Sequence, residues 1–121
     1  MKKNGTRLSF LAVEAEEGHP VSTRKLLLES AKHTVITAYS AEEGLEMLKR
    51  FPKVDAVVID SELKGAKQLA EHVRAESDSI RIVCLDPRIS ARCSWADKTV
   101  STHDPGELLK MMEELGGRTD I

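Results

Sequence analysis

The sequence predicts a single α/β domain: a doubly wound sheet of five parallel strands in the order 2-1-3-4-5, with helices on both faces. Three observations predict it. Short apolar or β-branched runs alternate with helical patterns along the chain. The clearest run, 54–60, has an unbroken apolar centre, Val57-Val58-Ile59, which implies burial on both faces of a parallel sheet. The length of 121 residues fits one domain whose core closes without staples.

The elements follow in order. Leu8 to Val13 reads as a buried strand, and 14–20 as a loop. Val21 to Lys32 reads as a helix with Leu26, Leu27 and Ser30-Ala31 on one face. Thr34 to Ala38 is a short β-branched strand. Ser40-Ala41-Glu42-Glu43 is a capping box that opens a helix running to about Arg50, with Leu45 and Leu48 on one side. Phe51-Pro52 ends it. After the strand Val54 to Asp60, a loop through Gly65 leads to a helix over about Lys67 to Glu76. Ile80 to Leu85 is the fourth strand, stopped by Asp86-Pro87. The stretch from Pro87 to Asp97 is irregular or holds at most a short helix, so the fourth helix is shortened or missing. Lys98 to Ser101 is a weak fifth strand. Asp104 as cap and Pro105 in the first turn open the last helix, whose stripe is Leu108, Leu109, Met112 and Leu115. Gly116-Gly117 ends it, so the domain spans 1–121 with a core of about 7–116.

Composition narrows the function. A net charge of −2 gives no electrostatic reason to expect nucleic acid, and 3% aromatics argue against a base-stacking surface. No secretory signal and no span of about 20 apolar residues occurs, so a cytoplasmic protein without a membrane anchor is expected. Cys84 lies in an apolar run and reads as core; Cys93 lies in a polar segment. Their spacing is no metal or redox motif, and two thiols suit a reducing compartment. His19, His33, His72 and His103 are scattered over loops and helix surfaces and make no shared metal site.

In a doubly wound sheet, ligands bind at the carboxyl ends of the strands. That edge is acidic here: strand one delivers Glu14, with Glu16 and Glu17 behind it; strand three delivers Asp60, strand four Asp86, and strand five Ser101 and Thr102. Gathered carboxylates repel unless a cation or protons intervene, and magnesium suits one or two carboxylates plus carbonyls and water. The bland reading is acids projecting into water, and it is weakest for Asp60, directly after Val57-Val58-Ile59. Glu14-Ala15-Glu16-Glu17-Gly18 is a poor anion cradle, which weighs against a nucleotide or flavin domain.

Nearly the whole chain, from about Leu8 to Leu115, resembles the response-regulator receiver family. The likeness is best from Arg24 to Leu48, similar to the family's first helix, second strand and second helix. Asp55-Ala56-Val57-Val58-Ile59-Asp60 resembles the third strand ending in the phosphoacceptor aspartate, and Asp104-Pro105-Gly106-Glu107-Leu108-Leu109 the start of the last helix. The resemblance implies a CheY-like, flavodoxin-like fold and a place in two-component, phosphorelay signal transduction. It implies Asp60 as phosphoacceptor, with magnesium held by Glu14, Glu16, Asp60 and the backbone of Glu62. In such sites the aspartate is the nucleophile, while magnesium and a lysine offset the developing charge.

The chain departs from that pattern. The acidic pair falls on Glu14 and Ala15, with Glu16 or Glu17 as substitutes in a longer loop. The hydroxyl position after strand four falls on Asp86, and the lysine position after strand five falls at about Ser101; Lys64 and Lys98 are the nearest basic residues. Only ten residues separate Asp86 from Asp97, too few for the usual fourth helix, so a changed partner surface or dimer mode is expected. The reading is a pseudo-receiver: a non-enzymatic protein-interaction module whose output does not need phosphorylation. Its partner would be a histidine kinase, a phosphotransfer protein or a downstream effector, and a homodimer is an alternative. The competing readings are a working Asp60 phosphoacceptor with magnesium and a flavodoxin-like small-molecule binder or enzyme. Tyr39 and Trp95 are either interface anchors or residues packed on the domain's own rim.

Overall fold

The computed structural model describes residues 9–14, 34–86, 93–101 and 110. The expected helix over 21–32, the loop 15–20 and the helix opened by Asp104-Pro105 lie outside these residues, apart from residue 110 itself. Within them run β1 (Ser9–Val13), β2 (Thr34–Ala38), α1 (Ala41–Arg50), β3 (Ala56–Asp60), α2 (Ala66–Glu76), β4 (Arg81–Asp86) and β5 (Lys98–Ser101). All the strand pairings are parallel, and the order is β2-β1-β3-β4-β5, as the sequence predicts.

The side-chain period of two divides the core into two layers. Leu11, Val13, Val57, Ile59 and Ile82 meet Leu48 of α1 and Leu69, Ala70 and Val73 of α2 on one face. Phe10, Ala56, Val58, Val83, Leu85 and Val100 form the layer on the other. Both sides of β3 are therefore buried, which is why its apolar run does not alternate with polar residues.

α1 begins where the capping box places it. Ser40 Oγ accepts the Glu43 N–H at 3.0 Å, and Glu43 Oε1 accepts the Tyr39 N–H at 2.9 Å. The glutamate thus reaches one residue further back than in the usual box. Gly44 lets the helix lie close on β1: a Cβ there would stand 3.1 Å from Val13 Cγ2. Gly65 at the N-cap of α2 has φ +83°, a left-handed conformation suited to glycine.

Two strands start later, and β4 ends later, than the run of apolar residues suggests. Asp55 precedes β3 and clamps β1 instead: its N–H donates to Ser9 O at 2.8 Å, and its Oδ2 accepts the Ser9 N–H at 2.8 Å. Asp97 repeats this before β5, donating its N–H to Ile82 O at 2.8 Å and accepting the Ile82 N–H on Oδ2 at 2.8 Å. Each aspartate adds one side-chain rung to a ladder whose strand has not yet begun. β4 continues through Asp86, which pairs with Ser101 and so belongs to the strand rather than stopping it.

The reading of two free thiols is corrected: Cys84 and Cys93 form a disulfide, with Cα atoms 6.5 Å apart. The reason is the short return from β4 to β5. Cys84 stands beside Thr99 in the sheet register, and the irregular residues 93–97 lead directly into β5, so Cys93 comes back over β4. This segment covers the sheet beside α2. Trp95 and Ala96 pack against the core, which favours the rim role for Trp95. Arg74 of α2 reaches Asp97 Oδ1 at 3.2 Å and Trp95 O at 3.3 Å.

Candidate functional site at the carboxyl edge

The register brings the ends of four strands side by side. Val13 is level with Ile59, Asp60 with Leu85, and Asp86 with Ser101. Glu14, Asp60, Asp86 and Ser101 therefore stand along one edge of the sheet. Parallel pairing forces this: each strand begins at the opposite edge, and the crossovers carry the chain back there.

Glu14 follows β1 and is 7% exposed; its N–H donates to Ala38 O at 2.9 Å, extending the β1–β2 ladder. Asp60 ends β3 at a half-buried position, and its Oδ1 accepts the Glu62 N–H at 3.0 Å. Its carbonyl accepts the Leu63 N–H at 3.0 Å, which tightens the turn and buries Leu63. The Asp60 carboxylate is thereby aimed by its own turn, an aspartate side chain bonding two residues ahead.

Among the described residues, Asp86 is the most enclosed of the acids, at 1% exposure. Ser61 Oγ donates to Asp86 Oδ1 at 3.2 Å, and the Ser61 N–H donates to Leu85 O at 2.8 Å. Ser61 was legible in the sequence only as part of a loop. The one local signal is its place directly after the strand acid; that it meets a residue 25 positions away is a product of the β3–β4 register. Ser101 is placed by its backbone opposite Asp86.

Of the residues expected to hold magnesium, Glu16 lies outside the described residues, and Glu62 contributes its N–H to Asp60. Among the described residues, no group of three acids, histidines or cysteines is placed to hold a metal ion. Lys98 begins β5 rather than ending it, three residues and about 10 Å of strand from Ser101. Lys64 is exposed in the turn after β3. A groove of about 310 Å³ lined by Leu45, Leu48, Pro52, His72 and Ile80 lies at the other edge, where α1 and α2 end, away from these acids. Among the described residues, no helix is long and apolar enough to cross a membrane.

A parallel sheet of order 2-1-3-4-5, with an aspartate ending its central strand, defines the class: the fold is that of CheY-like response-regulator receiver domains. The particular likenesses are close in shape and distant in sequence. A CheY-like receiver domain protein from Methanospirillum hungatei superposes with a TM-score of 0.77 at 19% identity, over 94% of this chain and 98% of its own. The chemotaxis response regulator CheY4 of Vibrio cholerae gives 0.74 at 20% identity, over 91% and 99%. The response regulator TrrA of Thermotoga maritima, solved in complex with Mg2+ and BeF, gives 0.69 at 25% identity, over 89% and 98%. No family sequence model matches the chain, and no curated protein matches it by sequence.

Proposed function

We propose that this chain is an atypical receiver domain of two-component signalling, a protein-interaction module that works without standard phosphorylation of Asp60. The observation that carries this is Asp86. A buried carboxylate ends the strand next to Asp60, and the neighbouring hydroxyl of Ser61 already donates to it. A phosphoryl group on Asp60 needs donors and positive charge around it. This edge meets it with a second acid, and with Ser101 rather than a lysine at the end of β5. Its partner is a protein, such as a histidine kinase, a phosphotransfer protein, a downstream effector or a second copy of the chain, and the cytoplasm is its place of action.

A second reading keeps Asp60 as an acceptor. Its half-exposed carboxylate is held by the Glu62 N–H at the strand end. Glu14, Glu16, Asp60 and the backbone of Glu62 would then hold magnesium, which supplies charge neutralisation when bound. The TrrA structure contains Mg2+ and BeF on the same fold.

Backbone amide NMR with magnesium and then beryllofluoride separates the two, with Asp60→Asn as control. The proposal expects no shifts around Glu14, Asp60 and Asp86 at beryllofluoride levels that saturate an ordinary receiver. Shifts clustered there, and lost in Asp60→Asn, would establish the acceptor reading instead.

A further inference from the structure

We infer that Cys84 and Cys93 are a reversible dithiol–disulfide couple that sets how the β4–β5 connection is held, independently of any phosphorylation at Asp60. The pair joins a core strand to the segment 93–97, whose Trp95 and Ala96 pack against the core beside α2.

The two sulfurs are unequal. Cys84 is 0% exposed in the middle of β4, whereas Cys93 is partly exposed at the described start of the segment. An external thiolate therefore reaches the bond at Cys93. It bonds to Cys93 Sγ as the Cys93–Cys84 bond breaks, and the electron pair leaves on Cys84 Sγ, which takes up a proton. A second external thiolate attacks the outer sulfur of the mixed disulfide and releases Cys93. Two monothiols leave as their own disulfide, and their two electrons have reduced the pair.

Both states have a place in this fold. Once reduced, Cys84 is a small apolar side chain between Val83 and Leu85, at a position already buried among apolar neighbours. The segment keeps its non-covalent ties: the Ala96 N–H to Cys93 O at 3.1 Å, both Asp97 bonds to Ile82, and the Arg74 contacts. These hold its far end, 95–97, more firmly than its beginning at Cys93. Reduction therefore frees the start of the segment while the sheet register stands. A 121-residue domain does not need this bond to close its core. In the reducing cytoplasm of the function proposed above, on which this step rests, such a bond is made and broken rather than permanent. Cys84 is two residues from Asp86 on the same strand, so a change at the pair is felt at the carboxyl edge through β4.

The test uses the whole chain in redox buffers of a monothiol and its disulfide. Free thiols are trapped with a maleimide and counted by mass spectrometry, and amide spectra are recorded at each ratio. The expected result is that both thiols appear together, disappear when the ratio is reversed, and move amides of residues 82–86 and 93–97 while those of β1 and β2 stay. Cys93→Ser should show the reduced spectrum in every buffer; it leaves the buried position intact, so folding is preserved. Two thiols free in fully oxidised protein would overturn the proposal. So would a bond that monothiol opens only in denaturant, which would make it a permanent staple. A clean redox change with no amide shift near β4 would refute the coupling.

Discussion

Asp97→Ala tests whether a side chain is built into the sheet. In the folded protein Asp97 Oδ2 accepts the N–H of Ile82, a strand residue at 0% exposure. Removing the acceptor strands a buried N–H, which costs about 1–3 kcal/mol. The same carboxylate faces Arg74 at 3.2 Å, but those side chains are 31% and 41% exposed. Screening holds such a pair to about 0.2–1 kcal/mol. The alanine variant should therefore lose about 2–3 kcal/mol. Asp97→Asn keeps an oxygen for Ile82 and gives up only the charge, so it should lose about 1 kcal/mol or less. At about 2.1 cal/mol/K per residue, the unfolding entropy of this chain is roughly 0.25 kcal/mol/K, so each kcal/mol moves Tm by about 4 °C. Thermal unfolding should then fall by about 8–12 °C for alanine and about 4 °C or less for asparagine and for Arg74→Ala. Added salt should erase the asparagine deficit and leave the alanine deficit in place. Equal losses for alanine and asparagine would refute the reasoning, because the charge and not the acceptor would then be what counts.

Other perturbations probe separate parts of the fold. Asp55→Ala removes the matching rung to Ser9, and chemical denaturation should show a loss of about 1–2 kcal/mol that Asp55→Asn largely restores. Gly65→Ala places a Cβ at φ +83° with its nearest neighbour, Ala41 Cβ, a comfortable 3.5 Å away. The expected loss of about 1–2 kcal/mol is therefore conformational, and Gly65→Asn should lose less. Leu69→Ala empties a 1%-exposed position between α2 and the sheet and should cost about 2–5 kcal/mol by the same measurement.

Much of this architecture was legible in the sequence because local patterns and the global fold agree. The run 54–60 announces a strand buried on both faces, Ser40 and Glu43 announce a helix start, and their order leaves few topologies open. What was not legible depends on register. Asp55 reads as a strand residue, since nothing local says that its carboxylate will bond Ser9, 46 positions away. The polar setting of Cys93 hides its return over Cys84 for the same reason. At the carboxyl edge, the placing of Asp60 and Asp86 at strand ends followed from alternation, while the Ser61–Asp86 bond required knowing that β3 and β4 are neighbours in this register.

The distance between those two acids decides how strongly Asp86 opposes a group on Asp60. Asp60 is level with Leu85, so Asp86 lies one residue further along the neighbouring strand. A strand spacing of about 4.8 Å and a rise of about 3.3 Å put the two Cα atoms roughly 6 Å apart, and because successive side chains leave opposite faces of the sheet the two carboxylates stand farther apart, roughly 8 Å. Two unit charges at that separation repel by about 2 kcal/mol at an effective dielectric of 20. That is about a 30-fold penalty on holding one further negative charge at Asp60. Ser61 does not relieve it, because its hydroxyl proton is directed at Asp86. Asp86→Asn keeps the shape of the side chain and an oxygen for Ser61, and it removes the charge. Titrating beryllofluoride into that variant with magnesium should show binding about 30-fold tighter than in the native chain, read from amides near Asp60. An unchanged affinity would mean that the charge of Asp86 does not close the site. The cause would then move to the end of β5, where Ser101→Lys is the substitution to make.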